Sequence, residues 1–507
     1  MKQNCLLTVA LLATLAAGCA VGPDYHKPTV AAPSNWGEPM AGGETNSAAS
    51  LANWWKTFND PDLNSLIDRA TQSNLNLRIA QARVREARAQ YGIAVGNLWP
   101  TVDGGSSFDR VRVSKHLPVL NYLPVPSGTP YENNFYQAGF DASWEIDVFG
   151  GQRRATESAK AQVAAAEFGQ RDVLVSLLGE VAVNYVQARG YQRQLEIVHE
   201  NIQAQERVLA ITQNRYTNGL ANNLDVQQAA TLLATTRADV PTLETGLEAS
   251  IHRLGVLLGQ PPEALQAELS TIAPVPAAPP EVPVGLPSDL LLRRPDVAQA
   301  EQQLAAATAN IGVAKADLFP KFYLTGIAGY QSVSASDWFS GGSRFWSAGP
   351  TVQWDIFDAG RIRSNIKVQN ARQEEALAAY EQTTLSAFED VENALVAYAK
   401  EQERRRSLEI AVKSSQESLR LANQLYANGL TDFINVLDAE RSLYQAQDAL
   451  VQSDQTVSTD VIALYKSLGG GWEAQQQQAS LSSVPSLASN NQAASNLQQF
   501  TGNWRKP

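Results

Sequence analysis

The segment NNFYQAGFDASWEIDVFGG, residues 133–151, decides how the rest of the chain has to be interpreted. From Tyr136 to Val148, every second residue is apolar or small, and the residues between them are polar, acidic or glycine. A period of two predicts a β-strand with one apolar and one polar face. The apolar face would carry Tyr136, Ala138, Phe140, Ala142, Trp144, Ile146 and Val148, and the polar face Gln137, Gly139, Asp141, Ser143, Glu145 and Asp147.

Most of the remaining sequence predicts long helices. The stretch from Arg361 to Asn428 contains neither Gly nor Pro, and its apolar residues recur at intervals of three and four. This pattern predicts an amphipathic helix with coiled-coil packing, and a helix of that length would extend about 100 Å. The turn Ala427-Asn428-Gly429 would end it, and a second helix is predicted from about Thr431 to Leu468.

The chain contains an internal duplication. The turn motif RYTNGLANNLDV at 215–226 recurs as LYANGLTDFINV at 425–436, and other motifs recur in the same order. Each half predicts the order helix, strand, strand, helix, helix. The first repeat is assigned to 53–272, with strands 101–113 and 134–148, the Pro-rich linker to 273–287, and the second repeat to 288–472, with strands 321–333 and 345–357.

The N-terminus predicts export and a lipid anchor. Residues 1–18 begin with Lys2 and continue into an apolar run that is too short to cross a bilayer, as in a signal peptide. The sequence Leu15-Ala16-Ala17-Gly18-Cys19 is similar to a bacterial lipobox, in which cleavage before the cysteine accompanies its lipidation. An ordinary signal peptide with an incidental cysteine is the alternative. Residues 19–52 predict an extended arm, and 473–507 a flexible tail rich in Gln, Ser and Asn.

Composition argues against several functional classes. The net charge of -11 argues against nucleic acid as a partner, since phosphate binding needs a basic surface. The sequence has no phosphate-binding loop of the form GxxxxGK[ST] and no hydrolase motif. Its four histidines are scattered without metal-ligand spacing. We therefore expect no enzyme activity and no cofactor other than covalent lipid on Cys19.

The predicted strands suggest a membrane. About ten residues is the length that crosses a bilayer at a tilt, and alternating faces are typical of a β-barrel with a wet lumen. A soluble sheet with one buried face would alternate in the same way, but aromatic residues near the strand ends and the export signal favour the barrel. Four strands cannot close a barrel, and an open edge is not tolerated in lipid. Two copies would give a filled barrel of eight strands, and three copies twelve strands with a lumen.

The chain resembles the TolC family of outer-membrane efflux proteins, in particular the OprM/NodT-type lipoproteins. The resemblance implies a trimer with a 12-stranded β-barrel and a long periplasmic α-helical barrel, each protomer being mainly α. It also implies passive efflux of small molecules such as drugs, with a periplasmic adaptor and an inner-membrane transporter of the RND type as partners. The motifs that carry it are Cys19 to Tyr25, NWWKTFNDPDLNSLI (53–67), LLRRPDVAQAEQQL (291–304), the two turns and YKSLGGGW (465–472).

The resemblance also implies a periplasmic gate at the two helical turns. Asp225 matches the family's gate aspartate and Tyr426 its tyrosine, whereas Thr431 stands where the family has an arginine. Of two acidic constriction positions, Asp438 keeps its charge and Asn435 does not. A solvated carboxylate at a helix start is the alternative interpretation of Asp225 and Asp438. The turns on which adaptors dock are matched by Gly219, Leu220, Gly429 and Leu430.

Two other functions fit the same sequence. The β-barrel and α-helical barrel could together form the outer duct of a type I protein secretion system. Neighbouring genes would then encode an ATP-driven exporter. The chain could also be a lipid-tethered periplasmic coiled-coil scaffold without a pore. A scaffold would become soluble once Cys19 is removed, whereas a channel would still need detergent.

Overall fold

A computed structural model describes residues 20–29, 33–37, 44–45, 51–112, 114, 131–279 and 282–473. Cys19, the predicted signal peptide and the tail beyond 473 lie outside these residues, so the predictions made for them stay predictions. The chain divides into two units, named here the sheet unit and the helical unit. Of the described residues, the sheet unit comprises those up to Thr29, those within Arg83–Glu167 and those within Gln299–Glu381, and the helical unit comprises the others.

The order of elements repeats, as the duplicated motifs predict. The two longest helices, α3 and α7, both have 67 residues, and the helices that follow them both have 35. Helices α3 and α7 contribute residues to both units. Among the described residues, the α-helices longer than four residues are α1 Pro61–Ser73, α2 Leu75–Gly96, α3 Gly151–Thr217, α4 Asn223–Leu257, α5 Pro287–Arg293, α6 Pro295–Ala316, α7 Arg361–Ala427 and α8 Phe433–Ser467.

The sheet unit contains one four-stranded antiparallel sheet with the order β1-β2-β3-β4. Both predicted hairpins are present, and the central strands β2 and β3 join them, with Ala142 opposite Gly326. The connection between β1 and β2 lies largely outside the described residues. The strands are β1 Thr101–Arg112, β2 Glu132–Ile146, β3 Lys321–Ser332 and β4 Arg344–Gln353.

Strands β2 and β4 end earlier than predicted, at Ile146 instead of 148 and at Gln353 instead of 357. The residues that follow these two strands cap the starts of the long helices. The carboxylate of Asp147 accepts a hydrogen bond from the backbone N–H of Arg153 at 2.9 Å. The carboxylate of Asp358 accepts from the N–H groups of Gly360 and Ile362 at 2.9 and 2.6 Å. Capping of the first turn of α3 therefore replaces sheet pairing at Asp147, and Asp358, one residue beyond the predicted end of β4, caps α7.

The register aligns the predicted faces across all four strands. Ile146, Phe322 and Val352 lie side by side in one row of the apolar face. Thr101, Ser143 and Thr325 form a row of the opposite, polar face. Several large apolar side chains of the first face are exposed in the single chain, among them Phe140, Leu324 and Trp346. An exposed apolar face of this extent requires an apolar neighbour.

Two tryptophans attach the ends of the strands to the chain entering them. The indole Nε1 of Trp144 donates to the carbonyl oxygen of Leu98 at 2.9 Å. Trp354 donates in the same way to Leu318 at 3.1 Å. Leu98 and Leu318 occupy equivalent positions between a helix and a strand, two residues before a proline. The duplication has therefore preserved an indole contact with each helix-to-strand junction.

Replacing Trp144 with phenylalanine is expected to lower the stability of the sheet unit by about 1 kcal/mol, because the Leu98 carbonyl loses its donor. Trp346→Phe is the matched control, since Trp346 is 79% exposed on the same face and no hydrogen bond is recorded for its indole. Thermal unfolding in detergent measures both. Equal shifts for the two variants would contradict a structural contribution from the Trp144 hydrogen bond.

The helical unit has a buried core to which its long helices contribute. Trp54 is buried and stacks on Tyr465 with 5.3 Å between ring centroids. Glycines permit close approach here: a Cβ at Gly190 would lie 2.5 Å from the side chain of Gln455, and one at Gly246 would lie 2.5 Å from the ring of Tyr191. Within the described residues, none of the helices combines the length and apolarity needed to cross a membrane.

Candidate functional site

The first candidate region is the turn between α3 and α4. Gly219 has a φ of 72°, a conformation that glycine adopts without steric cost. Its N–H donates to the carbonyl of Tyr216 at 3.0 Å, and the N–H of Leu220 donates to that of Arg215 at 2.8 Å. This pair of hydrogen bonds is a Schellman motif, which satisfies the last carbonyls of α3. The Leu220 side chain is left 69% exposed.

The turn between α7 and α8 has the same construction. Gly429 has a φ of 70°, its N–H donates to Tyr426 at 3.0 Å, and Leu430 donates to Leu425 at 2.9 Å. The Leu430 side chain is 72% exposed. Leu224 and Ile434, near the starts of α4 and α8, are also exposed. The two turns thus present apolar side chains at equivalent positions.

Asp225 lies in the first turn of α4 and takes part in a reciprocal cap. Its N–H donates to Oδ1 of Asn222 at 2.8 Å, and its carboxylate accepts from the N–H of Asn222 at 3.3 Å. The second repeat lacks this capping box. Asn435, at the position equivalent to Asp225, donates from its side chain to the hydroxyl of Thr431 at 2.7 Å. The carboxylate of Asp225 therefore stabilises the start of its own helix, whatever further role it has.

Tyr426 connects the helix ends around the second turn. The guanidinium of Arg215, from the end of α3, lies 4.5 Å from the centre of the tyrosine ring, and the ring of Phe433 lies 5.3 Å away. Burial raises the pKa of the Tyr426 hydroxyl, the Arg215 cation lowers it and the Asp225 carboxylate raises it. Asp225 and Tyr426 are thus close enough to influence each other electrostatically.

Arg215 is the residue that sequence reasoning missed. Thr431 brings no positive charge to the predicted gate, but Arg215 supplies one to the face of Tyr426. The signal was present in the duplicated motif: the first turn begins with Arg215, where the second begins with Leu425. Where two copies of a motif differ by a charge, the charged residue is a candidate for a function that only one copy has.

Asp438 lies exposed on α8, with Arg441 at 3.6 Å as its ion-pair partner. Its charge is therefore partly balanced within its own helix. No group of three or more histidine, cysteine or acidic side chains suited to a metal ion occurs in the described part of the chain.

Both turns rest on one apolar group of side chains, named here the tip cluster. Helices α4 and α8 supply its buried members, and α3 and α7 pack against them. Because Tyr426 packs against this cluster, the position of the tyrosine depends on all four helices. The buried members are Ala229, Leu232, Phe433, Val436 and Leu437, and the flanking residues are Val208, Leu209, Leu419, Ala422 and Tyr426.

A duplicated chain with two long strand pairs, an exposed apolar sheet face and long helices ending in glycine turns has the architecture of an outer-membrane channel subunit. The family model described as "Outer membrane efflux protein" matches residues 66–260 and 286–470. The chain therefore belongs to the outer membrane efflux protein family, and the family and fold class predicted from the sequence are confirmed.

Sequence relatives and solved structures that are similar to this chain support the same assignment. The solvent efflux pump outer membrane protein SrpC of Pseudomonas putida is 34% identical over 484 residues, covering 94% of this chain and 100% of SrpC. The outer-membrane channel OprN is 37% identical, with a TM-score of 0.83 over 90% of this chain and 100% of OprN. The open state of the Neisseria gonorrhoeae MtrE outer membrane channel is 29% identical, with a TM-score of 0.76 over 90% of this chain and 99% of MtrE. The protein is accordingly an outer-membrane efflux protein.

Proposed function

We propose that three copies of this chain form a passive exit duct for small molecules across the outer membrane. The supporting observation is that β1 and β4 pair on one side only among the described residues. Backbone groups at a sheet edge must be paired within lipid, so β4 of one copy needs β1 of the next. These two strands run in opposite directions in the four-stranded sheet, so this pairing continues the antiparallel order. Three copies give twelve strands, enough to leave a lumen.

The two faces of the sheet then meet different surroundings. Phe140, Leu324 and Trp346 contact hydrocarbon, and the row containing Thr101, Ser143 and Thr325 lines the water-filled lumen. The sequence contains no phosphate-binding loop for ATP, so a partner supplies the energy. An inner-membrane transporter of the RND type and a periplasmic adaptor fill this role in the proposal. Lipid on Cys19 would anchor the chain to the membrane surface.

The two helical turns form the proposed gate. Asp225, Tyr426 and Arg215 hold the helix ends together, and Asp438 contributes charge to the constriction. The exposed side chains of Leu220 and Leu430 are the proposed contacts for the adaptor, together with the turns at Gly219 and Gly429. The adaptor would open the gate by binding the open arrangement better than the closed one. That MtrE has been described in an open state supports a two-state gate.

A purified full-length chain tests the duct directly. We expect particles of three chains in detergent and a low conductance in planar lipid bilayers, because the gate is closed without an adaptor. The double variant Asp225→Ala and Tyr426→Phe is expected to conduct about tenfold better, since each chain loses the cap carboxylate and the tyrosine hydroxyl, together worth about 0.5 kcal/mol, and three chains that open together lose about 1.5 kcal/mol.

A control variant separates gating from damage to the sheet. Trp346→Phe alters the exposed apolar face and should conduct like the wild type. A single-chain particle that conducts in neither form would refute the duct. Trimers with equally low conductance in the wild type and the double variant would refute the gate alone.

A further inference from the structure

Among the side chains of the helical unit with buried polar atoms that have no recorded hydrogen-bond partner are Gln205 and Glu440. Gln205 on α3 is 3% exposed, and neither its amide nitrogen nor its amide oxygen has a partner. Glu440 on α8 is 6% exposed, and its Oε2 atom has none. Burying such groups costs free energy, on the order of 1–3 kcal/mol for a neutral group and more for a charge. Their burial therefore weakens the packing in which they lie.

Both residues flank the tip cluster that carries the turns. Gln205 precedes Val208 and Leu209 by three and four residues, and these two pack against the cluster. Glu440 follows Val436 and Leu437 by four and three residues, and these two belong to the cluster. Residues three and four apart share one face of a helix. Gln205 in α3 and Glu440 in α8 therefore lie on the packed face of their helices, one turn farther from the loop than the apolar residues, and both are polar.

Glu440 differs from Gln205 because it can ionise. Burial alone raises its pKa from 4.5 to about 7, and no charged neighbour contributes to the shift. Several charged side chains in the surrounding stretches of α3, α4, α7 and α8 have partners of their own, whereas Arg207 and Lys413 are exposed. These pairs are Asp438 with Arg441, Glu206 with Arg237, Glu417 with Arg420, and Asp239 with Tyr444.

We propose that Glu440 makes the closure of the helix ends depend on pH. The packed arrangement favours the protonated acid, whereas the carboxylate is more stable once the ends of α3 and α8 separate enough to admit water. A role of Glu440 in transport rests on the proposed gate. The local opening of the helix ends does not, because it can be measured on the protein without transport. Gln205 acts in the same direction at every pH, because it too gains partners from water on opening.

The sign of the effect follows from linkage. In the opened arrangement Glu440 regains its ordinary pKa of 4.5, whereas in the packed arrangement its pKa is about 7. The packed arrangement therefore keeps its full stability below pH 4.5, loses stability as the pH rises toward 7, and stays at the lower value above it. Closure is favoured in acid, and alkaline conditions favour opening.

Hydrogen exchange on the full-length protein in detergent tests this proposal. Wild type is compared with Glu440→Gln at pH 5 and at pH 8, because a comparison at equal pH cancels the intrinsic exchange rate. At pH 5, only half a unit above the ordinary pKa of 4.5, we expect the protection of the two chains to differ by a few fold at most. At pH 8 the amides of residues 208–217 and 433–437 should exchange more than tenfold faster in wild type, because the shift of the Glu440 pKa from 4.5 to about 7 exceeds one unit and each unit is a factor of ten.

Two further variants sharpen the test. Glu440→Leu removes both charge and polarity, and should be at least as protected as Glu440→Gln at both pH values. Glu206→Gln changes an exposed acid beside Gln205 and is the control. At pH 8 its amides should exchange as fast as those of wild type, and therefore faster than those of the Glu440 variants. Equal exchange of wild type and both Glu440 variants at pH 8 would overturn the proposal. If that happens in a protein that conducts, only this inference fails; if the pH effect appears in a protein that never conducts, only the duct fails.

Discussion

Replacing Arg215 with methionine is expected to increase the open fraction of the channel about a hundredfold in planar bilayers. The guanidinium lies 4.5 Å from the centre of the Tyr426 ring, and its buried Nε has no recorded hydrogen-bond partner. The substitution therefore removes chiefly a cation–π contact, worth about 1 kcal/mol. Three chains that open together lose about 3 kcal/mol of closed-state stability, and every 1.4 kcal/mol is a factor of ten.

Two further variants test whether an increase in conductance is specific to the cation at Arg215. Arg207→Met makes the same change of charge at an exposed position two turns earlier on α3, and should leave the conductance unchanged. Arg215→Lys keeps the cation and should restore part of the closure. The assignment of Arg215 to the gate is wrong if Arg215→Met and Arg207→Met conduct equally.

The second large effect is expected in stability, at Arg189. This side chain is 1% exposed in the helical unit. It donates to Asp62 at 2.8 Å, to the carbonyl of Thr271 at 2.7 Å and to Gln192 at 2.9 Å. Its Nε donates to the hydroxyl of Tyr185 at 3.1 Å. Arg189→Met should lower the free energy of unfolding by about 3–5 kcal/mol, because it removes four hydrogen bonds of a buried charged side chain and takes this donor from the buried acceptors Gln192 and Tyr185.

Arg193→Met is the matched control for this variant. Arg193 lies one turn farther along α3, is about half exposed and pairs with Glu196. Exposed pairs of this kind contribute about 0–1 kcal/mol. Urea or thermal unfolding in detergent should separate the two variants clearly. A loss at Arg189 no larger than the loss at Arg193 would contradict a central role for the buried network.

Much of the sheet was predictable from local patterns. The period of two in residues 136–146 assigned each side chain to a face, because successive residues of a strand point to opposite sides. The pattern could not locate the ends of β2 and β4. The end of β2 depends on whether Asp147 pairs in the sheet or caps a helix, and Asp358, five residues after the end of β4, caps α7; both caps are made with residues that follow in the chain.

The gate was predictable only in part. The resemblance supplied Asp225 and Tyr426, but the capping box of Asp225 and the cation on Tyr426 became evident from the structure. Glu440 had a sequence signal, since it continues the apolar spacing of Phe433, Val436 and Leu437. Spacing cannot show whether a polar residue on that face finds a partner, because the answer depends on side chains from other helices.

The sequence by itself determined the duplication, the class of each element, the two faces of the strands and the family, because these properties reside in composition, in spacing and in motifs along one stretch of chain. The tertiary structure decided which side chains meet: Arg215 with Tyr426, Arg189 with Asp62 and Thr271, and Glu440 with no partner for its Oε2. Such contacts join residues that are far apart in the chain. Their energies depend on burial and on the geometry of donors and acceptors, which only the packed helices define.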